Sequence, residues 1–327
     1  MMRKDEKYYI GIDLGGTNIA VGVVNENCEI VTKGSVPTGR LRPFAEIMED
    51  ICGLCKKLIQ DAGISESCVA AIGVASPGSI ALDGKSIRYA NNIPSLNGAP
   101  ICETLQSTFP GAEVFLENDA NAAAYGEMIA GAAKGQKDVI VITLGTGVGG
   151  GIIIDGNIYA GFNRAGAELG HTVIMVGGVP CTCGRCGCWE TYASATALIR
   201  ETAEEIKKYP DSIIHQMIDG DENNITGKTA FDAMHQGDAA GGAIVKQYVE
   251  YVGIGAANLI NIFQPQKLVV GGGVSKAGEA LLAPLREYVA ANTYGAEVGG
   301  FPATEIVGAE LGNDAGIIGA AMLFKQY

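Results

Sequence analysis

The sequence predicts an α/β fold assembled from two copies of one unit, and three observations carry the prediction. Val139-Ile140-Val141-Ile142 is an apolar β-branched run, the mark of a buried strand, and Ile152-Ile153-Ile154 begins a second one. Between them lies a turn dense in glycine: Gly145, Gly147, Gly149, Gly150 and Gly151, broken only by Thr146 and Val148. The same shape stands earlier, where Tyr9 to Leu14 reads as a strand, Gly15-Gly16-Thr17-Asn18 as a tight turn and Ile19 to Val24 as the returning strand. Both units then continue through a polar turn (Asn25-Glu26-Asn27; Asp155-Gly156-Asn157) into a third short strand. Two ordinary hairpins are the alternative, but Gly-Thr chemistry recurs at the same turn about 130 residues apart, which favours an internal duplication.

The glycines also point to a ligand. At that density backbone N–H groups approach a bound group with no side chain in the way, which suits phosphate oxygens. The letters from Gly145 to Gly150 satisfy G-x-G-x-x-G, but that fingerprint opens a helix and here a strand follows. The turn is a strand–turn–strand phosphate loop, not a dinucleotide site.

Composition sets the outer bounds. At 327 residues and 47% hydrophobic content the chain can bury one large core or two medium ones. A formal net charge of −13 argues against nucleic acid or an anionic membrane as main partner, though backbone amides and a bound cation can still hold phosphate locally. The N-terminal MMRKDEKYYI has no apolar signal-peptide core, and the longest uncharged apolar candidate, Val252 to Phe263, is too short for a membrane span. A cytoplasmic location is expected.

The remaining elements follow in order. Pro43 to Gly63 carries Ile47, Ile51, Leu54 and Leu58 at helical spacing, with Gly63 as C-cap. Cys52 and Cys55 on this helix read as core thiols rather than a redox pair. Val69 to Ala75 is a strand, Ser76-Pro77-Gly78 a turn, Asn91-Asn92-Ile93-Pro94 a loop, Pro100 to Phe109 a helix and Val114 to Leu116 a strand. Glu117-Asn118-Asp119 then opens a helix of small residues, Ala120 to Glu127, able to pack close to its neighbours. Asp119 thus stands at a strand end and a helix start. An ordinary N-cap would sit there too, but the place also suits a reactive carboxylate.

Further helices are expected over Thr191 to Lys208 and Ala239 to Phe263. A buried strand, Lys267 to Val270, ends in a third glycine turn, Gly271-Gly272-Gly273-Val274-Ser275, suited to the flat face of a nucleotide. A helix through Leu281, Leu282 and Leu285 follows; Gly312 to Gly316 is a turn, and Ile317 to Phe324 the terminal helix. Thr226-Gly227-Lys228-Thr229 imitates the end of a P-loop. However, Glu222 occupies the place of the first glycine and no strand precedes it.

Nine cysteines include a tight group, Cys181, Cys183, Cys186 and Cys188, ten residues and more after His171. One imidazole and three thiolates make the closed tetrahedral set of structural zinc. His171, Cys181, Cys183 and Cys188 are the preferred ligands with Cys186 spare; spacing alone also permits four thiolates without His171. Glu168 and Glu190 flank the cluster, where a metal-braced loop would hold both rigidly for polyol recognition.

DLGGTN (Asp13 to Asn18), ENDANAAA (Glu117 to Ala124), LGTGVGGG (Leu144 to Gly151), ExGH (Glu168 to His171), CxCGxxGCxE (Cys181 to Glu190) and GGGVS (Gly271 to Ser275) occur in that order. Together they resemble the ROK family (repressors, open reading frames, kinases) over essentially the whole chain. The resemblance implies an actin-like, ribonuclease-H-like ATPase fold, duplicated, with two lobes around an interdomain cleft. It implies a small lobe of residues 1–117 plus the C-terminal helix at about 312–327, and a large lobe of 118–311 with the zinc-binding loop.

The activity implied is ATP-dependent phosphorylation of D-glucose at the 6-hydroxyl, by in-line transfer with Asp119 as general base. Asp13 would orient Mg²⁺ through water. ATP would meet Gly15, Gly16, Thr17, Asn18, Thr143, Gly145, Thr146 and Gly147 with its phosphates, and Gly271, Gly272 and Gly273 on the adenosine side. Sugar hydroxyls would meet Asn92, Asn118, Asp119, Glu168, His171 and Glu190, with His171 binding zinc through its other nitrogen. The sequence departs from many family members in carrying a cysteine at Cys186. A homodimer is the family expectation.

Other readings remain as alternatives. Fructose, N-acetylglucosamine, N-acetylmannosamine or allose is a possible acceptor, since hydroxyl-binding residue types do not fix the epimer. A sugar-responsive repressor needs a DNA-binding segment, and only about a dozen residues precede Asp13. An actin-like structural ATPase has no use for zinc-braced carboxylates.

Overall fold

The computed structural model describes residues 6–90, 92–295 and 302–327. Of the features expected above, residues 1–5 of the N-terminal stretch and Asn91 lie outside them. The chain falls into two compact units, one of residues 1–137, 151–167 and 310–327, the other of residues 138–150 and 168–309.

The first half runs β1 (Tyr8–Leu14), β2 (Asn18–Asn25), β3 (Ile30–Pro37), α1 (Phe44–Asp61) and β4 (Val69–Ser76). A small hairpin, β5 (Ser79–Ile80) with β6 (Ile87–Tyr89), precedes α2 (Ile101–Thr108), β7 (Glu113–Asn118) and α3 (Asp119–Ala130). The second half runs β8 (Val139–Leu144), β9 (Val148–Ile154) and β10 (Asn157–Ile158), then α4 (Glu190–Ala193), α5 (Ala195–Glu205), α6 (Ile214–Met217), α7 (Thr229–His235) and α8 (Ala239–Phe263). It closes with β11 (Lys267–Gly271), α9 (Glu279–Asn292), β12 (Glu305–Gly308) and α10 (Asp314–Ala321).

The two sheets have one topology. Their strand orders are β3-β2-β1-β4-β7 and β10-β9-β8-β11-β12, so the first strand of each copy stands in the middle. In each copy that strand pairs in parallel with the fourth, and the fourth with the fifth. This is the duplication read from the two glycine hairpins, and it gives the two-lobed α/β fold of actin-like ATPases. Burial follows position. Central β1 is apolar and buried along nearly its whole length, as a strand with neighbours on both edges and both faces covered must be. Edge strand β3 alternates half-buried and exposed.

Within the first unit, α10 lies against β1, β4 and α3, and glycine stands wherever backbones meet. A Cβ at Gly11 would overlap the Ile317 carbonyl, one at Gly73 the Ala320 carbonyl, one at Gly126 the Ala315 carbonyl and one at Gly319 the Ala122 carbonyl. Ala75, Ala122 and Ala320 fill the space left. The first compact unit includes α3, whose small residues let it seat against α10. Glu127 reinforces the join, accepting the backbone N–H groups of Leu311 (2.9 Å) and Ala132 (2.9 Å).

Two helices differ from expectation. The single helix over 191–208 is broken at Ser194, whose extended backbone (ψ 163°) and hydroxyl cap α5 by accepting the Ala197 N–H. The terminal helix begins at Asp314 rather than Ile317, since the turn residues Ala315 and Gly316 are already helical. Thr226 to Thr229 leads into α7 and follows no strand, so it is not a P-loop. Among the described residues no helix is long and apolar enough to cross a membrane.

Gly73→Ala or Gly319→Ala should destabilise the chain by about 3 kcal/mol, because the new methyl meets rigid backbone. Gly53→Ala, at an exposed position of α1 with nothing within 4 Å, should stabilise by about 0.5–1 kcal/mol. Urea midpoints of the three variants measure the contrast.

Candidate active site and metal centre

In the first unit the strand ends of β1 and β7 carry the two carboxylates of interest. Asn118, not Asp119, caps α3: its Oδ1 accepts the N–H groups of Ala120 (2.9 Å) and Asn121 (3.2 Å), and its Nδ2 donates to the Gly78 carbonyl (3.2 Å). Asp119 therefore occupies the first helical position, where its Oδ1 accepts the Ala120 N–H at 2.9 Å. Burial raises its pKa, outweighing the N–H donors that lower it. Asp13 is raised as well, from 3.8 to about 6, first by burial and then by the Asp119 charge. The two carboxylates thus share one low-dielectric neighbourhood, an arrangement that favours a bound cation.

The first glycine turn is braced from beside it. Gly15 N–H donates to the Asn18 carbonyl (3.1 Å), Thr38 Oγ1 donates to the Gly15 carbonyl (2.7 Å) and Thr38 N–H to the Thr17 carbonyl (2.8 Å). Thr17 and Asn18 are left exposed at the tip, and Gly16 is half-buried. Asn92 is also exposed.

In the second unit the equivalent turn is braced the same way. Gly145 N–H donates to the Gly147 carbonyl (3.0 Å), Ala195 N–H to the Gly145 carbonyl (2.7 Å) and Thr196 Oγ1 to the Thr146 carbonyl (2.8 Å). Glu190 closes against it, with Oε2 accepting the Val148 N–H at 3.0 Å. Thr143 ends β8 beside Gly271 of β11. Gly272, at φ +87°, presses so near Leu144 that a Cβ would sit 2.5 Å from its backbone nitrogen, so only glycine fits; Gly273 is open. The third glycine turn therefore abuts the second.

His171 follows Glu168 in the same unit, on a short 3₁₀ turn (Leu169–His171), and Glu168 itself is exposed. His171 Nδ1 lies 3.6 Å from Cys181 Sγ, Cys183 Sγ lies 3.5 Å from Cys188 Sγ, and all four donor atoms fall within 4.8 Å of one another. A tetrahedral N/S centre with ordinary bond lengths has edges of about 3.5–3.8 Å, so the donor set fits zinc. Cys186 is exposed and stands outside the group. The thiols resist ionising together: Cys188 is pushed up to about 12, chiefly by burial, while the Arg185 N–H holds Cys183 down at about 6. A bound divalent cation would favour the thiolate form of its ligands. Trp189, fully buried against Gly255 with Nε1 donating to the Tyr251 carbonyl (2.8 Å), anchors the segment between Cys188 and Glu190 to α8.

The structure thus brings Asp13 and Asp119 together in one unit, and Glu190, the second turn and the third turn together in the other. Sequence reasoning missed the braces Thr38 and Thr196, which carry no local signal. It also gave no role to Glu117, Arg164 and Tyr327, which meet only through the fold.

The fold and the paired braced turns define a protein of the actin-like ATPase class. The model of the ROK family matches residues 9–327. The glucokinase of Halalkalibacterium halodurans is 40% identical over 98% of this chain and 96% of its own length. That of Thermotoga maritima is 38% identical over 97% of both. Among solved structures, a ROK family glucokinase from Streptomyces griseus in complex with glucose and AMPPNP matches with a TM-score of 0.79 at 36% identity, covering 98% of this chain and 100% of that one. This chain belongs to the ROK family.

The raised pKa of Asp13 makes a pH prediction. Between 3.8 and about 6 the folded state holds more protons than the unfolded one, so this group's contribution to stability is full below 3.8 and is lost as pH rises through about 6. Asp13→Asn should therefore raise the melting temperature of the ligand-free protein at pH 7 and leave it little changed at pH 4. Thermal melts of both proteins across that range check the sign.

Proposed function

We propose that this chain is an ATP-dependent glucokinase that transfers the γ-phosphoryl group of ATP to the 6-hydroxyl of D-glucose. The observation that carries the reading is Asp119: a carboxylate with raised proton affinity, freed from capping by Asn118, in a chain with full-length similarity to glucokinases. A phosphoryl transfer of this kind needs little covalent help, so positioning and charge neutralisation dominate. Asp119 accepts the proton of the attacking hydroxyl, and its raised pKa fits it to hold that proton.

Asn92, Asn118, Glu168, His171 and Glu190 bind the sugar's other hydroxyls. Gly15 to Asn18, Thr143 and Gly145 to Gly147 offer backbone N–H and hydroxyl groups to the phosphates, and Gly271 to Gly273 lie flat against adenosine. Asp13 would hold Mg²⁺ through water; the ion supplies positive charge at the phosphate oxygens. His171, Cys181, Cys183 and Cys188 would hold a structural zinc through Nδ1 and three thiolates, which leaves His171 Nε2 for the sugar. The enzyme is proposed to act in the cytoplasm as a homodimer.

Asp119→Asn should lower kcat by about a thousandfold or more while the glucose dissociation constant moves less than threefold. ADP release across glucose, fructose, mannose, N-acetylglucosamine, N-acetylmannosamine and allose tests base and acceptor together. Retained turnover in the variant removes Asp119 from the role, and a preference for another hexose moves the acceptor.

Metal content separates the cysteines. Cys186→Ser should keep one zinc per chain and an unchanged KM for glucose. Cys183→Ser should lose the metal and raise that KM about tenfold or more. Elemental analysis with initial rates makes the comparison.

A further inference from the structure

The first unit carries a side-chain network behind Asp119 that none of the roles above uses. Glu117, the penultimate residue of β7, is 1% exposed and yet a carboxylate. Its oxygens face opposite ways. Oε1 accepts the Asn118 backbone N–H (2.8 Å) and Asn121 Nδ2 (3.2 Å). Oε2 accepts the Tyr327 hydroxyl proton (2.7 Å). Arg164 completes the set: Nη2 donates to Tyr327 Oη (2.9 Å), Nη1 stands 3.6 Å from Glu117 Oε2, and the guanidinium lies 5.3 Å from the Tyr327 ring centroid. Phe115 stacks on the same ring at 5.9 Å.

Three features mark this as more than a packed core. An apolar cluster of the same volume would be at least as stable as a buried ion pair, so stability alone does not call for the charges. Arg164 sits at φ +58°, a left-handed conformation that a residue with a side chain adopts at a cost and that clusters at working sites. The network's output is also directional. Both groups held by Glu117 Oε1 flank Asp119, one the residue before it and the other two residues after it.

We propose that Tyr327 and Arg164, acting through Glu117, are positioning residues that fix Asn118 and Asn121 and so hold Asp119 at the angle at which it receives the sugar proton. This rests on the reading of Asp119 as the base. Tyr327 anchors and orients Glu117; Glu117 locks the strand-to-helix corner from both sides; Asn118, so held, takes the capping bonds in place of Asp119. Burial and the Glu117 charge push the Tyr327 phenol up to about 12, so it remains a donor throughout the assay range. The last turn of the chain is itself pinned, with Gln326 Oε1 accepting the Ile158 N–H (2.8 Å) and Nε2 donating to the Gly156 carbonyl (3.0 Å).

The test is a mutant cycle of Tyr327→Phe, Glu117→Gln and the double variant, with kcat and both KM values read by ADP release and the folded fraction by circular dichroism. Each single change should lower kcat per folded molecule about tenfold with the KM for ATP within twofold, since a base misplaced by a fraction of an ångström loses rate rather than nucleotide binding. The double variant should be no slower than Glu117→Gln alone, because both act through one route. A Tyr327→Phe enzyme within twofold of the unaltered kcat overturns the proposal, as do losses that multiply in the double variant or that track only the unfolded fraction. If Glu117→Gln does not fold, Tyr327→Phe with Arg164→Lys runs the same cycle. Asp119→Asn measured alongside separates the two failures: retained turnover there defeats the base, whereas an inactive Asp119→Asn beside a fully active Tyr327→Phe defeats the relay alone.

Discussion

Contact of bare backbone on bare backbone around α10 is the constraint on which the first unit depends. Helices normally stand about 8–10 Å from what they pack on, separated by side chains. Here Gly11 and Gly73 on the sheet, Gly126 on α3 and Gly319 on α10 remove that spacer, and each admits a carbonyl from the facing element. The approach fixes where α3 begins relative to the ends of β1 and β7. Asp13 and Asp119 are on those ends, so the proximity that couples their titration follows from the glycines and not from any bond between the carboxylates.

The duplication explains the two turns and also why only one of two equivalent aspartates is suited to proton transfer. Asn118-Asp119-Ala120 opens the helix after the fifth strand of the first copy, and Asn313-Asp314-Ala315 opens the helix after the fifth strand of the second. Asp314 is engaged by Lys33, whose Nζ lies 2.8 and 2.9 Å from its two oxygens, and Asn313 makes no side-chain cap. Asp119 makes no ion pair among the described residues, and Asn118 does the capping. The environment, not the residue type, separates a surface ion pair from a group with raised proton affinity. The braces of the two turns show the same economy of plan: a threonine hydroxyl donates to a turn carbonyl in each copy, Thr38 in one and Thr196 in the other.

Much of this was legible in the residues. The glycine hairpins, the alternating helices and strands, and the third glycine turn all appear where periodicity and turn chemistry place them, because those signals are local. The grouping of His171 with Cys181, Cys183 and Cys188 was legible as chemistry, while the exclusion of Cys186 needed coordinates. Errors arose where tertiary contact overrode local preference. Ser194 interrupts an otherwise helical run because the following N–H, that of Ala195, is taken by the Gly145 carbonyl.

By itself, the sequence determined the repeated unit, the phosphate-binding character of its turns, the thiolate-rich donor set and the family to which the chain belongs, since each is written in residue type and short-range spacing. Tertiary structure alone decided which carboxylates share a dielectric environment, which asparagine caps and which residue is thereby freed, and that Glu117, Arg164 and Tyr327 meet. Those facts depend on contacts between residues tens to hundreds of positions apart, where burial and hydrogen-bond geometry act and spacing along the chain carries no information.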